Sequence, residues 1–364
     1  MENFRSWKFT DIKAQKNNKL ILINGSEAVG FGAIAGGCQF IAAYPMSPST
    51  GVFTYITGKA KEFNIISEQA EDEIAAINMA LGASFSGARA MTTTSGGGLS
   101  LMAEGLSLAG IMEAPVVVVN AQRPGPATGL ATRTGQEDLE YVLHIGHGEF
   151  PRFVFAPGHP EEAFYTTIYA FNLSDKYQVP AFILIDQYFA DTYATVKEFD
   201  LNKVKAISYQ PSVVSNPYLR YQITKDGVSP RAYPNPPSPP LEKGDNGDFT
   251  FIADSHEHTE NGHITEDGEV RNKMVEKRFR KLKGMQKEFG KPTYYGDKLV
   301  PSSLKKGKAK TVFVTWGSNY GVVRETVDYL KKQKRPAAMV HFNRIYPFPR
   351  KEAISLLKGA KEIF

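Results

Sequence analysis

Four carboxylates stand close together in Ser67-Glu68-Gln69-Ala70-Glu71-Asp72-Glu73, and a turn of small polar residues, Thr94-Ser95-Gly96-Gly97-Gly98, follows about twenty residues later. Glu73 lies nine residues before Gly82 and begins a stretch carrying Ala75, Ala76, Ala80 and Ala83, so a helix here sets its carboxyl among apolar groups. Such surroundings favour the protonated, hydrogen-bonding form of a carboxyl. The plainer alternative is that Glu68, Glu71, Asp72 and Glu73 all favour the positive end of the same helix, and spacing alone points to that one. Two other groups with chemistry sit in loops. Ser47 lies between prolines in Tyr44-Pro45-Met46-Ser47-Pro48-Ser49-Thr50, and Arg123 opens the long polar loop Asn120 to Thr134, which also holds Arg133.

These residues need elements to position them. Leu20-Ile21-Leu22-Ile23 leads to a small-residue helix over Ala28 to Gly37 for which Ser26 is a candidate cap. A helix so rich in glycine and alanine admits close approach by another element. Strand-like runs at Phe40–Tyr44, Ile65-Ile66, Ala90–Thr92, Val116–Val119, Phe153–Phe155 and Ala181–Ile185 alternate with helical patterns over Glu73–Ser86, Leu99–Met112 and Pro160–Ser174. That alternation predicts βαβ units and a parallel sheet, whose strands are buried on both faces and read as unbroken apolar runs. Ligands of such sheets lie beyond the carboxyl ends of the strands, so the loops after Tyr44, Thr92 and Val119 are the ones of interest. Paired prolines stiffen the first of these and bias Tyr44 and Ser47 away from helix.

The chain of 364 residues has room for two domains, and 42% hydrophobic residues exclude a disordered or fibrous protein. Its one cysteine, Cys38, excludes a disulfide framework and a cysteine-ligated iron–sulfur cluster held by this chain alone. A reducing, cytoplasmic setting is expected. The N-terminus lacks the apolar core of a signal peptide, and no apolar run reaches the roughly 18 residues of a spanning helix. A net charge of +5 is mild and argues against nucleic acid as a partner.

The expected division is an N-terminal arm over 1–20, an α/β domain over 21–200, a connecting segment over 201–305 and a second α/β domain over 306–364. Eight prolines between Pro211 and Pro240 leave no element of ordinary length there. Glu269 to Glu288 reads as one charged helix with a thin apolar stripe of Met274, Val275 and Phe279. Its basic run Lys277-Arg278-Phe279-Arg280-Lys281 reads as a solvated face. Thr311–Ser318 and Ala338–Phe342 are strands with a helix over Val322–Lys332 between them, and Ile363-Phe364 begins a third. A sheet ending there is short of partners, which suggests a truncated chain or an edge completed by another one. Thr94–Gly98 is no P-loop, because no Gly-Lys-Ser/Thr follows. His256, His258 and His263 lack metal-ligand spacing and read as solvated loop residues; His144 and His147 read as turn residues around Gly146.

Seven segments in order resemble the alpha subunit of 2-oxoacid:ferredoxin oxidoreductases, especially the 2-oxoglutarate branch. They are Glu71–Ala76, Tyr44–Thr50, Thr94–Gly98, Arg123–Gly129, Gly227–Ala232, His263–Asp267 and Lys277–Lys281, and the resemblance extends from about residue 24 to the end. It implies a thiamine diphosphate fold of the pyrimidine-binding type with a parallel sheet, followed by a transketolase C-terminal-like α/β domain. Glu73 takes the place of the glutamate on the aminopyrimidine ring, with Tyr44, Pro45, Ser95 and Gly96 beside the cofactor. Ser47 stands where the family's Tyr-Pro-Ile-Thr-Pro loop has threonine facing the 2-oxoacid, and Met46 replaces isoleucine; a hydroxyl is kept while the methyl is lost. Arg123 takes the place of an arginine that binds the substrate carboxylate, where a guanidinium fork fits two oxygens.

The activity implied is oxidative decarboxylation of a 2-oxoacid to acyl-CoA and CO2, with electrons passing to ferredoxin. No Gly-Asp-Gly followed at the usual distance by Asn is present to hold Mg²⁺ and the pyrophosphate; the nearest run, Gly244-Asp245-Asn246-Gly247, lies in the connecting segment. Mg²⁺ and the iron–sulfur cluster are therefore expected on a beta subunit, with the active site at an interface in a dimer of heterodimers. The family's gamma domain has no counterpart in this sequence and is a further possible partner. A scaffold that has lost catalysis, or a subunit of a non-oxidative thiamine enzyme, is the alternative of the same fold.

Overall fold

The computed structural model describes residues 19–207, 219–231, 253–297 and 311–364. The N-terminal arm up to residue 18, Gly244–Gly247 and most of the prolines between 211 and 240 lie outside the described residues. Strand β1 (Leu20–Ile23) is followed by α1 (Gly25–Ala35), β2 (Phe40–Ala43), α2 (Thr50–Phe63), β3 (Ile66–Gln69) and α3 (Glu73–Phe85). Next come β4 (Ala90–Thr94), α4 (Gly96–Leu101), α5 (Ala103–Ile111), β5 (Val116–Gln122), α6 (Leu139–His144), β6 (Phe153–Phe155), α7 (Pro160–Tyr177), β7 (Pro180–Asp186), α8 (Gln187–Asp191) and β8 (Ala194–Lys197). The remainder holds α9 (Gly268–Glu288), β9 (Thr293–Gly296), β10 (Thr311–Trp316), α10 (Asn319–Lys332), β11 (Ala337–Phe342), β12 (Arg344–Tyr346), α11 (Arg350–Leu357) and β13 (Glu362–Ile363).

The expected α/β architecture is present. Seven strands form the main sheet in the order β12-β6-β7-β5-β4-β2-β3, parallel throughout except for β12. Its central strands are buried on both faces. Val117, Val119 and Ile183 pack under α1, α2 and α7, whereas Val116, Val118 and Leu184 pack under α3 and α5. The small residues of α1 do admit a close neighbour: a Cβ at Gly32 would come within 3.0 Å of Phe164 O and Thr167 Cβ in α7. A second sheet, β13-β10-β11-β9, lies beyond, and β1 pairs with β8.

Five local expectations change. Asn24, not Ser26, caps α1, because Asn24 Oδ1 accepts from Glu27 N at 2.8 Å while Glu27 Oε2 accepts from Asn24 N at 3.1 Å. This reciprocal box starts the helix earlier and leaves Ser26 buried inside it. The helix expected over Leu99–Met112 is two, broken at Met102, whose N–H is shared between Gly98 O and Leu99 O. The second sheet is better supplied with strands than expected. Ile363 does lie in a strand on β10, and the connecting segment contributes β9 along the far edge of β11. The chain then crosses back: β12 pairs with β6 and ties the last sixty or so residues to the main sheet.

The basic run of α9 is not a solvated face. Lys277 and Lys281 are 0% and 1% exposed, and both meet the buried Glu113 carboxylate, at 2.5 Å each. Four-residue spacing puts both lysines on the buried stripe with Met274 and Met285, where one carboxylate from the end of α5 awaits them. Arg278 forks onto Glu257 at 3.0 and 2.6 Å. His258 is likewise buried rather than solvated, its ring bridging Ile111 O and Thr259 O and lying 3.8 Å from the Tyr221 ring.

Candidate functional site

The order of the main sheet has a switch point at β2, whose two neighbours are β3 on one side and β4 on the other. The loops leaving β2 and β4 diverge there and open a crevice at the strands' carboxyl ends. Three of the segments singled out from sequence meet in it. Thr93 Oγ1 donates to Ser49 O at 3.5 Å, Thr94 Oγ1 lies 4.0 Å from Met46 Sδ, and Arg123 Nη1 donates to Ser47 O at 2.6 Å. The Ser47–Pro48 and Gly125–Pro126 peptides in these loops are both cis. Tyr44, Pro45 and Ser47 are exposed on the first loop, and Arg123 is buried.

The four carboxylates separate cleanly. Glu68, Glu71 and Asp72 are exposed, and Asp72 is the cap of α3, accepting from Ala75 N at 2.7 Å. Glu73 is only 3% exposed, in the first turn of the helix, and its Oε1 has no hydrogen-bond partner. A buried carboxyl oxygen without a partner in the chain calls for a hydrogen-bonding group from outside it, a water or a ligand atom. Glu73 points at Gly98, where an added Cβ would lie within 3.0 Å of Glu73 Oε1 and Thr94 Oγ1.

The same turn receives a second carboxyl. A Cβ at Gly96 would lie within 3.0 Å of both Asp138 carboxyl oxygens. Asp138 Oδ2 accepts from Asn120 Nδ2 at 2.9 Å, and burial holds the Asp138 carboxyl above the ordinary aspartate range against the lowering effect of that bond. The glycines of Gly96-Gly97-Gly98 therefore leave room for two carboxyl groups flanking the start of α4. Ser95 caps that helix in extended conformation, yet its buried Oγ bonds to nothing; Asn120 Oδ1 and Arg123 Nε are also buried and unpartnered. Gly98→Ala is expected to destabilise the fold by about 1–3 kcal/mol by displacing Glu73 or Thr94. Gly97→Ala, whose Cβ would meet only Ala127 O at 3.6 Å, should leave the thermal midpoint near that of the parent.

The structure thus brings Glu73, Ser95, Gly96, Arg123 and the Ser47 backbone to one crevice, with Tyr44 and Pro45 on its outer loop. The ring end of thiamine diphosphate fits these residues: an orphaned carboxyl oxygen faces a cradle that a single Cβ would fill. Asp138, Asn120 and Thr94 were missed from sequence. Thr94 stood at the edge of a strand already noted, but nothing marks Asp138 apart from other polar residues of its loop.

Residues 31–277 match the family described as pyruvate flavodoxin/ferredoxin oxidoreductase, thiamine diphosphate-binding. The alpha subunit of 2-oxoacid:ferredoxin oxidoreductase 1 from Sulfurisphaera tokodaii is 38% identical over 96% of this chain and 55% of its own length. The 2-oxoglutarate synthase subunit KorA of Archaeoglobus fulgidus is 30% identical over 90% of this chain and 82% of its own length. Among solved structures, a 2-oxoglutarate:ferredoxin oxidoreductase from Magnetococcus marinus, with 2-oxoglutarate, coenzyme A and succinyl-CoA bound, superposes with a TM-score of 0.85 at 33% identity, covering 95% of this chain and 57% of that one. The chain thus spans little more than half the length of the Sulfurisphaera tokodaii and Magnetococcus marinus proteins, 55% and 57%. Sequence, fold and crevice agree, and the chain belongs to the family described as pyruvate flavodoxin/ferredoxin oxidoreductase, thiamine diphosphate-binding.

Proposed function

We propose that the chain is the alpha subunit of a 2-oxoacid:ferredoxin oxidoreductase that converts a 2-oxoacid, 2-oxoglutarate foremost, to acyl-CoA and CO2 with reduction of ferredoxin. The observation that carries this reading is the buried, unpartnered Oε1 of Glu73 facing Gly98 at the switch point of the sheet. Thiamine diphosphate, when bound, supplies a nucleophilic carbon for a 2-oxo group and holds the electron pair that decarboxylation releases. Glu73 Oε1 then holds a proton at a ring nitrogen of the cofactor, in a pocket that Ala76, Ile77 and Leu99 keep dry. Arg123, anchored through Nη1 on Ser47 O, has Nε free for the substrate carboxylate, and Ser47 itself is exposed on the loop that holds the guanidinium. The buried Ser95 Oγ beside them is a further donor for the cofactor.

Another chain is needed to complete this site. Mg²⁺ and the pyrophosphate are assigned to a beta subunit, as is the iron–sulfur cluster, since Cys38 is the only cysteine and burial pushes its thiol up to about 12. Ile74, Met79 and Leu101 remain 49%, 41% and 51% exposed on α3 and α4, the helices that carry Glu73 and Gly98, and are the apolar side chains assigned to contact with that subunit. A dimer of heterodimers, a gamma subunit and ferredoxin complete the proposed assembly. Among the described residues no helix is long and apolar enough to cross a membrane, and a cytoplasmic site of action is part of the proposal.

The test is co-expression with a beta subunit and measurement of thiamine- and coenzyme-A-dependent reduction of a viologen dye by several 2-oxoacids. Failure with every 2-oxoacid would favour a scaffold or a non-oxidative thiamine enzyme. Arg123→Ala is expected to raise the KM for the 2-oxoacid by about ten- to hundredfold, the worth of a charge-assisted hydrogen bond, with a smaller change in kcat. An unchanged KM would remove Arg123 from the carboxylate site.

A further inference from the structure

The loop from Arg123 to Asp138 is held at few points, because most of its side chains are exposed. Near its start Arg123 donates to Ser47 O, and Gly125 N donates to Glu137 Oε2 at 2.9 Å. Towards its end stands Gln136, every arm of whose amide is engaged. Gln136 Nε2 donates to Asp186 Oδ2 at 3.0 Å and to Ser318 Oγ at 3.3 Å, and Gln136 Oε1 accepts from Asn319 Nδ2 at 2.6 Å.

Two of those partners belong to the second sheet. Ser318 and Asn319 follow β10 at the start of α10, just after Gly317, which has φ +59°. A Cβ at Gly317 would lie 2.9 Å from Gln136 Nε2, so the glycine both makes the turn and admits the amide. Asp186, at the end of β7 and 1% exposed, joins the two sides: its Oδ1 caps α8 through Phe189 N at 2.9 Å, and its Oδ2 accepts from Ser318 Oγ at 2.5 Å.

We infer that Gln136 is a positioning residue through which the second sheet sets the geometry of the Arg123 loop. The chemistry asks for an amide. One arm must donate to the Asp186 carboxylate and the other must accept from Asn319, which neither a carboxylate nor an ammonium does at neutral pH. The inference rests on the reading of Arg123 as the carboxylate-binding residue, because its consequence is that the second sheet tunes substrate affinity without touching substrate. Loop anchoring of this kind acts on orientation, so its loss is felt in binding before chemistry.

The experiment has two readouts, both on the complex co-expressed with its partner subunit. In Gln136→Ala and in Asn319→Ala, hydrogen exchange of amides 124–135 is expected to accelerate while β4 and β5 stay protected, and the double variant should add little to either single one. Steady-state assay of the same variants should show the KM for the 2-oxoacid raised about tenfold with kcat changed less than twofold. Gln136→Glu should behave like Gln136→Ala at neutral pH, where two carboxylates face each other, and recover affinity as the pH falls and the new carboxyl regains a proton. Unchanged exchange in 124–135, or a fall in kcat at constant KM, would overturn the inference. If the parent complex turns over no 2-oxoacid, the functional reading fails while the exchange data still decide whether Gln136 anchors the loop.

Discussion

Glu73→Gln is expected to lower thiamine-dependent 2-oxoacid oxidation by about 10²–10⁴-fold, the usual worth of a positioned proton-transfer group, while leaving the thermal midpoint of the chain close to the parent's. The two halves of that result have separate causes. The amide keeps the size and burial of the carboxyl, and Oε1 makes no hydrogen bond within the chain that a substitution would break. What it loses, on the proposed role of Glu73, is the ability to give and take a proton at a cofactor nitrogen. A buried side chain kept without an internal partner is a feature that function explains and packing does not. Dye reduction by the co-expressed complex and thermal unfolding of the isolated chain measure the two halves. Full activity in Glu73→Gln would transfer the proton-handling role to another group, for which Asp138 on the other flank of the glycine turn is the first candidate.

The framework was legible in the sequence for a physical reason. Strands buried on both faces, such as Val116–Val119 and Ala181–Ile185, carry continuous apolar runs that no other element of that length needs, and the switch-point rule then pointed to loops that do meet in one crevice. Glu73 was a different matter. Spacing set it beside three carboxylates of equal standing, and only the resemblance to a family chose it; the structure separates it from them by burial, since α3 turns Asp72 out to cap and Glu73 in. Asp138 stayed hidden because its role depends on a glycine forty-two residues earlier in the chain. β12 was hidden because Arg344-Ile345-Tyr346 is short and lacks the continuous apolar run that marked the equally short Phe153–Phe155. The lysines of α9 were misread for a related reason. Helical spacing does place Lys277 and Lys281 on one face, but their counter-charge is 164 residues away from Lys277 in sequence, and a charge without a visible partner is assigned to solvent.

That counter-charge carries the largest stability effect expected in this protein. Glu113 is 1% exposed; its Oε1 accepts from Lys277 Nζ, its Oε2 meets Lys281 Nζ off the hydrogen-bonding direction, and its own carbonyl accepts from Arg220 Nη2 at 2.9 Å. One carboxylate cannot neutralise two ammoniums and a guanidinium. Burial, with the neighbouring cations, therefore draws Lys277 down to about 7 even though Glu113 opposes the shift, while the same cations hold Glu113 far below the ordinary carboxylate range. Between about pH 7 and the ordinary lysine value of 10.5 the unfolded chain binds a proton that the folded one lacks, so this cluster makes stability rise with pH across that window. Glu113→Gln strands both lysines and is expected to cost about 3–5 kcal/mol, with a thermal midpoint lower by on the order of 10 °C. The deficit should be smaller at pH 9 than at pH 6, because shedding the lysine protons on folding becomes easier as the pH rises. Removing the cations together with the anion, in Glu113→Gln/Lys277→Met/Lys281→Met, should return most of the loss, since apolar groups of similar volume carry no desolvation penalty. A Glu113→Gln chain that melts with the parent would mean that water reaches the cluster, and α9 would then be held in place by Met274, Met285, the Arg278–Glu257 pair and the bonds that Tyr169 and Tyr177 of α7 make to Glu288.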